Sequence, residues 1–176
     1  RGTRQRKPSA PFTTSTLQQE ASRRLGFNAR RTMAVAQQLY EGIEIGKGGS
    51  VGLITYMRTD SPQVSTQAQG EAQEYIGQRF GKDFHPEKPP KYQTRAKSAQ
   101  EAHEAIRPTS VFREPDQLKA FLSRDQLRLY TLVWQRFVAS QMSNAIYDTL
   151  RIDIEAGLTT KDKPYVFRVS GSTIKF

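Results

Sequence analysis

The stretch of sequence that decides the fold lies near the N-terminus, at residues 15–42, and is STLQQEASRRLGFNARRTMAVAQQLYEG. Ser15 and Gln18 have the spacing of a capping box, in which each side chain bonds to a free backbone N–H of the other residue. They predict a helix that runs to about Leu25, and Gly26 favours its C-terminal end.

A second helix is predicted from Asn28, a preferred N-cap residue, to Gly42. Two helices joined by a turn of about three residues resemble a helix-turn-helix, with Arg30 and Arg31 at the start of the second helix, where free backbone N–H groups suit phosphate contacts. The pattern is equally compatible with a plain helical hairpin. Four apolar residues of this helix recur at helical spacing: Met33, Ala36, Leu39 and Tyr40.

The chain beyond this pair is predicted to be mainly helical up to about residue 146. The predicted elements are a short buried strand over 51–56 and helices over 65–80, 98–106 and 123–142. From residue 146 apolar and polar residues alternate, which predicts β-strands with a loop at 156–163.

The predicted fold class is therefore α+β, mainly α with a short β segment. Residues 1–10 are expected to be a linker or an edge segment. A helix-turn-helix-like domain covers residues 11–146, and part of a β-rich domain covers residues 147–176.

The charge of the chain favours a polyanionic partner. Lys and Arg number 27 against 17 Asp and Glu, which gives a net charge of +10 at pH 7 and a pI near 10.0. Such a balance suits nucleic acid or an acidic membrane surface. Residues 1–31 hold eight basic side chains against the single acidic residue Glu20. Exposed arginines also serve merely to solubilise a surface, so charge alone names no function.

Several classes of protein are excluded by what the sequence lacks. It has no cysteine, which excludes disulfides and zinc sites of the Cys type, and its two imidazoles, His85 and His103, are well separated. No metal site is predicted within the chain. No apolar run approaches the roughly 20 residues that span a bilayer, and no signal-peptide pattern is present. We therefore expect a soluble protein without a membrane partner.

The first candidate motif is GLITYMRTDS, at residues 52–61. Tyr56 lies at the end of this predicted strand, and a rigid strand can fix the direction of a tyrosine side chain. A phenol is a nucleophile once a proton acceptor or a cation assists it. Arg58 would project from the same side, roughly 6–7 Å along the strand, where a guanidinium can bind a phosphate through two hydrogen bonds. Asp60 continues the period. On spacing alone, a half-buried strand tyrosine beside a surface cation is the commoner arrangement.

The second candidate motif is QEAHEAIRPT, at residues 100–109. His103 and Arg107 are four residues apart and share one face if this segment is helical. Such a face can position a phosphate or transfer a proton. A solvated helix face is the commoner explanation of this spacing.

Together the two motifs resemble the signature motifs of type IA DNA topoisomerases, and Met57 after the tyrosine resembles the bacterial topoisomerase I branch. Further segments resemble the family in the same order: PFTTSTLQQ at 11–19, AQQLYEG at 36–42, LVWQRFVASQM at 132–142 and the start of the β-rich arch domain at 147–176.

The resemblance implies a role for each motif residue. Tyr56 matches the nucleophile that forms a 5′-phosphotyrosine link with DNA, and Arg58 matches the arginine that steadies the scissile phosphate. Asp60 and His103 match polar residues around the active site. Arg107 matches a motif arginine with DNA or structural contacts. The implied partner is DNA, with single-stranded segments preferred.

The chain departs from the family at the metal site. The family binds magnesium on a separate Toprim domain, through a Glu and an Asp-x-Asp-x-Glu run. The nearest string here, at 153–155, lacks the first acid and is expected to be surface charge. We therefore expect Mg²⁺ in a longer parent enzyme, with ligands outside this chain. The Toprim and gate domains of the same polypeptide are expected partners, and the expected location is the bacterial cytoplasm, at the nucleoid.

Two alternatives from other classes stay open. One is a non-catalytic winged-helix or helix-turn-helix module, in which residues 14–42 contact DNA and Tyr56 is structural. The other is a basic protein that docks on RNA or on an acidic partner.

Overall fold

A computed structural model describes residues 1–46, 49–92, 103–159 and 163–176. The elements in chain order are β1 (Gly2–Arg6), α1 (Thr14–Leu25), α2 (Ala29–Glu41), β2 (Ile43–Glu44), β3 (Ser50–Val51), α3 (Thr66–Arg79), α4 (Arg124–Ser140), β4 (Ala145–Ala156) and β5 (Tyr165–Ile174). They belong to two compact units. Ser9–Met142 is a helical unit, and Arg1–Pro8 with Ser143–Phe176 is a sheet unit. The predicted α+β fold class is confirmed.

The first helix has a different N-cap from the one predicted. Thr13, not Ser15, caps α1: its hydroxyl accepts from the backbone N–H of Thr16, whose hydroxyl accepts in return from the Thr13 N–H at 2.9 Å. The pairs Thr13–Thr16 and Ser15–Gln18 both have the capping-box spacing. A contact with a residue distant in the sequence favours the first pair. The N–H of Thr14, free at the first helical position, donates to the Thr59 carbonyl oxygen at 2.9 Å.

The other helix ends confirm the sequence prediction. Gly26 ends α1 with φ of 71°, a left-handed conformation that favours glycine. The Asn28 side chain caps α2, and Gly42 follows its last turn. Ser123 and Gln126 form the capping box predicted for α4. These ends are determined by residues within one turn of the helix, which is why the sequence alone predicts them.

The core of the helical unit lies between α1, α2 and α4. Phe12, Phe27 and Tyr130 are fully buried there. A second cluster packs α3 against α4, and Trp134 lies partly buried against both clusters, with its indole N–H donating to the Val111 carbonyl at 2.8 Å. Full burial of each large apolar side chain stabilises the fold by roughly 1.5–3 kcal/mol, so the two clusters together hold α1 to α4 around residues 52–61.

The sheet unit is an antiparallel sheet with strand order β1-β4-β5. Residues 2–6 form its edge strand rather than a linker, with Arg4 opposite Tyr147. In the β4–β5 hairpin Ile152 lies opposite Val169. Five of its apolar side chains are between 43% and 62% exposed: Leu150, Ile152, Ile154, Phe167 and Val169. Within the described ranges, no helix is both long enough and apolar enough to cross a bilayer.

The two possible caps of α1 predict different effects of substitution. Thr13→Ala should lower the free energy of unfolding by about 0.5–2 kcal/mol, because it removes an N-cap. Ser15→Ala, the matched control, should change it by less than about 0.5 kcal/mol. Urea unfolding of the two variants measures both values. A larger loss in Ser15→Ala would mean that the helix begins at the predicted cap instead.

Candidate active site

The Tyr56 segment is extended, but the strand predicted over 51–56 is wrong. β3 is only two residues long, and Ile54 forms an isolated bridge with Pro108. Between them the Leu53 N–H donates to the carbonyl of Leu39, near the end of α2, at 2.7 Å. The backbone thus changes its partner, and a continuous strand ladder cannot form.

The second motif supplies the other partner of this segment. The Thr55 N–H donates to the Arg107 carbonyl at 2.9 Å, and the Thr109 N–H donates to the Leu53 carbonyl at 3.0 Å. The Thr55 hydroxyl also donates to the Ala105 carbonyl at 2.7 Å. The structure therefore brings the two motifs side by side.

Side chains alternate along residues 56–60. Tyr56, Arg58 and Asp60 are exposed, whereas Met57 is fully buried and Thr59 is 8% exposed. This alternation is that of an extended chain. Tyr56 and Arg58 thus lie on the solvent side of the segment, as the motif predicted, although the segment is not a regular strand.

Tyr56 lies in an open cleft and is 45% exposed. The lining residues are Tyr40, Thr55, Tyr56, Thr59, His103 and Glu104. His103, from the second motif, therefore faces the same cleft as the tyrosine of the first motif. Arg58 and Asp60 do not line it, and in the described part of the chain neither has a hydrogen bond or an ion pair.

The helix predicted over 98–106 is wrong where it can be assessed, because residues 103–106 are not helical. The Ala105 N–H donates to the Gln63 carbonyl, and the Ile106 N–H donates to the Phe12 carbonyl, both at 2.8 Å. Helical N–H groups would instead bond four residues back. The long-range bonds thus replace the helical ones.

His103 and Arg107 consequently share no helix face, contrary to the prediction. The earlier part of that predicted helix, residues 98–102, lies outside the described residues.

Arg107 is committed to a contact within the protein. Its guanidinium, 13% exposed, donates to Glu104 Oε2 at 2.9 and 2.5 Å. The other oxygen of Glu104 accepts from the Ser65 N–H at 2.9 Å, ahead of α3. Burial opposes ionisation of Glu104, but the hydrogen bonds from Ser65 and the charge of Arg107 outweigh it and hold its pKa below the usual range.

The two arginines at the start of α2 differ in their surroundings. Arg31 donates to Asp125 Oδ2 at 2.8 and 2.6 Å and lies over the Phe27 ring, 4.3 Å from its centroid. Arg30 is exposed and has no ion pair within the described ranges. Neither arginine lines the Tyr56 cleft.

Two residues of this site, Thr14 and Tyr40, were not among the sequence candidates. The Thr14 hydroxyl donates to the Met57 carbonyl at 2.7 Å and accepts from the Thr59 N–H at 2.9 Å, so that the first turn of α1 anchors the Tyr56 segment. Tyr40 packs edge-on against Tyr56, with ring centroids 5.3 Å apart. A weak signal existed for Tyr40, an amphipathic side chain in the last turn of α2, whereas Thr14 carried none.

The residues that the structure describes do not fit a magnesium site. Among the described residues no group of three or more carboxylate or imidazole side chains lies together as an ion site requires. In the acidic string at 153–155, Asp153 is hydrogen-bonded to Arg168 at 2.7 and 3.1 Å. The string therefore contributes to an ion pair of the sheet unit and is not a set of metal ligands.

Comparison with known proteins identifies the family. A bacterial family model described as DNA topoisomerase matches residues 1–176. The chain belongs to the DNA topoisomerase family. It is 54% identical over 171 residues to DNA topoisomerase 1 of Xylella fastidiosa strains Temecula1 and 9a5c, which covers 97% of this chain. The structure of full-length topoisomerase I from Thermotoga maritima matches with a TM-score of 0.83 and 43% identity, over 99% of this chain.

The resemblance inferred from the motifs is thereby confirmed. This topoisomerase chain spans 20% of the length of the Xylella relatives and 27% of the Thermotoga chain.

The depressed pKa of Glu104 predicts a pH-dependent stability of this topoisomerase chain. An ionised carboxylate that is better stabilised in the folded state contributes fully above its unfolded pKa, and its contribution is lost as the pH falls through the lower folded pKa. Glu104→Gln should therefore destabilise the chain by about 1–2 kcal/mol at pH 7 and by progressively less in acid. Thermal unfolding across pH measures the difference.

The matched control is Glu87→Gln, since Glu87 is exposed and has no ion pair among the described residues. It should leave stability unchanged at every pH. If the loss of stability in Glu104→Gln stays constant with pH, the carboxylate charge of Glu104 does not stabilise the fold.

Proposed function

We propose that this chain is part of a type IA DNA topoisomerase and that Tyr56 is the nucleophile. Tyr56 Oη attacks a DNA backbone phosphate, a 5′-phosphotyrosine bond forms, and the 3′-hydroxyl leaves. After a second strand has passed through the gap, the 3′-hydroxyl attacks the phosphorus, the tyrosine leaves, and the strand is resealed. Negative supercoils relax without ATP, because the phosphotyrosine bond conserves the energy of the broken link.

The observation that carries this proposal is the setting of Tyr56. Its ring is 45% exposed in a cleft, while its neighbour Met57 is fully buried and hydrogen-bonded to Thr14. An exposed phenol on a fixed backbone is what a nucleophile that must meet one phosphate requires.

We assign Arg58 to the scissile phosphate. It is exposed on the same side of the segment as Tyr56, and no carboxylate of the described chain neutralises it. A free guanidinium can donate two hydrogen bonds to phosphate oxygens and stabilise the charge of the transition state.

His103 and Asp60 are proposed as supporting residues. His103 lines the cleft of Tyr56, where an imidazole can accept or return the phenol proton. Asp60 is exposed two residues beyond Arg58, on the same side of the extended segment.

For the arginines away from the cleft, the surroundings determine the proposed roles. Arg30 is exposed and unpaired in the described part of the chain, and we propose that it contacts DNA backbone phosphates. Arg31 can join it only by sharing its guanidinium with Asp125. Arg107, 13% exposed and bound to Glu104, is assigned a structural role. The net charge of +10 favours DNA, and single-stranded segments are the proposed substrate.

The metal ligands of the proposed enzyme are proposed to lie elsewhere in the polypeptide. Magnesium is proposed to bind ligands of a Toprim domain outside this chain, and gate domains complete the DNA-binding groove. We propose the bacterial cytoplasm, at the nucleoid, as the location of the parent enzyme.

The proposal predicts the effect of removing one atom. In the parent enzyme Tyr56→Phe should abolish covalent protein–DNA adducts while it leaves DNA affinity within a few-fold, since the phenol oxygen alone is required for the chemistry. Adducts with an end-labelled single-stranded oligonucleotide are measured on denaturing gels, and affinity is measured by fluorescence anisotropy.

Tyr165→Phe is the matched control, because Tyr165 is an exposed tyrosine of the sheet unit. It should form adducts at the unchanged rate. An adduct that survives Tyr56→Phe would contradict the proposal and favour a DNA-binding module in which Tyr56 is structural.

Arg58 substitutions test how the phosphate is held. Arg58→Ala should slow cleavage by roughly 10²–10³-fold, the scale for loss of one preorganised donor to a developing charge. Arg58→Lys should recover only part of that rate, because an ammonium cannot reproduce the two-pronged contact. Single-turnover cleavage at saturating DNA measures both, and full activity of the lysine variant would show that charge alone suffices.

A further inference from the structure

Tyr40 forms one wall of the Tyr56 cleft. It lies in the last turn of α2 and is 41% exposed. Its ring meets the ring of Tyr56 edge-on, with centroids 5.3 Å apart and planes inclined at 62°. Aromatic rings attract one another in this geometry. Two large aromatic side chains, both substantially exposed, thus contact each other inside the site.

The backbone around Tyr40 fixes the position of this contact. Leu39, its fully buried neighbour, accepts a 2.7 Å hydrogen bond from the Leu53 N–H. At Gly52 a Cβ atom would come within 2.7 Å of the Tyr40 carbonyl oxygen, so the two segments touch there without room for a side chain. The end of α2 and the segment that carries Tyr56 are therefore held at a fixed separation.

A half-exposed tyrosine keeps one orientation only if a neighbouring side chain excludes its other rotamers. The buried residues Met57 and Thr59 fix the backbone of the segment, but the alternation of an extended chain places their side chains on its other side. Side chains exchange among staggered rotamers unless a neighbour excludes some of them. Among the described residues that line the cleft, Tyr40 is the one whose ring packs against the ring of Tyr56.

We propose that Tyr40 is a positioning residue for cleavage. Its ring holds the Tyr56 ring in the orientation that presents Oη to the cleft shared with His103. This inference rests on the proposed function, because it assumes that Tyr56 is the nucleophile. Tyr40 itself neither accepts a proton nor touches the scissile phosphate.

The experiment compares Tyr40→Ala, Tyr40→Leu and Tyr40→Phe in the parent enzyme. Single-turnover cleavage of a labelled single-stranded oligonucleotide gives the rate at saturation and the half-saturating DNA concentration separately. Tyr40→Ala should lower the saturating rate by about three- to tenfold, the scale of one aromatic pair. It should leave the half-saturating DNA concentration within about twofold of wild type, because Tyr40 does not touch the scissile phosphate. Tyr40→Leu should remain slow, and Tyr40→Phe, which keeps the ring, should recover the rate.

A second measurement reports the ring itself. In the 176-residue chain with ¹³C-labelled tyrosine, the aromatic resonances of Tyr56 should shift in Tyr40→Ala and stay near their wild-type positions in Tyr40→Phe. Because Tyr40 is exposed, Tyr40→Ala should unfold at the same temperature as wild type, and this result would show that the fold is intact. A variant that were merely misfolded would move every tyrosine resonance.

Three outcomes overturn the inference. Tyr40→Ala could cleave at the full saturating rate. It could instead raise half-saturation alone, which would make Tyr40 a DNA-stacking residue. Tyr40→Phe could be as slow as Tyr40→Ala, which would assign the role to the hydroxyl. The proposed function fails separately, if Tyr56→Phe still forms the adduct. Loss of the adduct in Tyr56→Phe with full activity in Tyr40→Ala would overturn only the role of Tyr40.

Discussion

The backbone groups of residues 53–59 must be satisfied without a regular strand beside them, and the rest of the helical unit depends on how this is done. Unpaired buried N–H and C=O groups are costly. The end of α2, the first turn of α1 and the second motif each supply part of the hydrogen bonding, through Leu39, Thr14 and Arg107. The helices are therefore more than a scaffold below the site, because their ends provide the partners of the chain that carries Tyr56.

The contacts within the protein divide the arginines of this basic chain into two groups. Arg107 and Arg31 are used inside the protein, where Glu104 and Asp125 neutralise them. Arg58 and Arg30 are exposed and, among the described residues, unpaired. A net charge of +10 counts all of them alike. Only the contacts distinguish a cation that stabilises the fold from one that is available to a phosphate, and for this reason Arg58 carries more of the functional argument than the total charge does.

Features determined by neighbouring residues could be predicted from the sequence, and features determined by distant ones could not. Gly26, Asn28 and Ser123 act within one helical turn, and they mark helix ends in the structure as they did in the sequence. The pairing of Tyr56 with His103 in one cleft followed from the family resemblance. The strand over 51–56 and the helix over 98–106 were wrong, because long-range hydrogen bonds replace the local pattern in both segments.

The separation of these partners along the chain determines when the site can form. The hydrogen bonds from Thr14 to Met57, from Thr55 to Ala105 and from Thr109 to Gly52 join residues 43, 50 and 57 positions apart. Closing such loops costs entropy before any bond compensates for it, and contacts of this kind slow folding. The helices can form early from local signals, but the cleft forms only when three remote segments meet. A chain that lacks these three contacts would present Tyr56 on a loop without a fixed backbone.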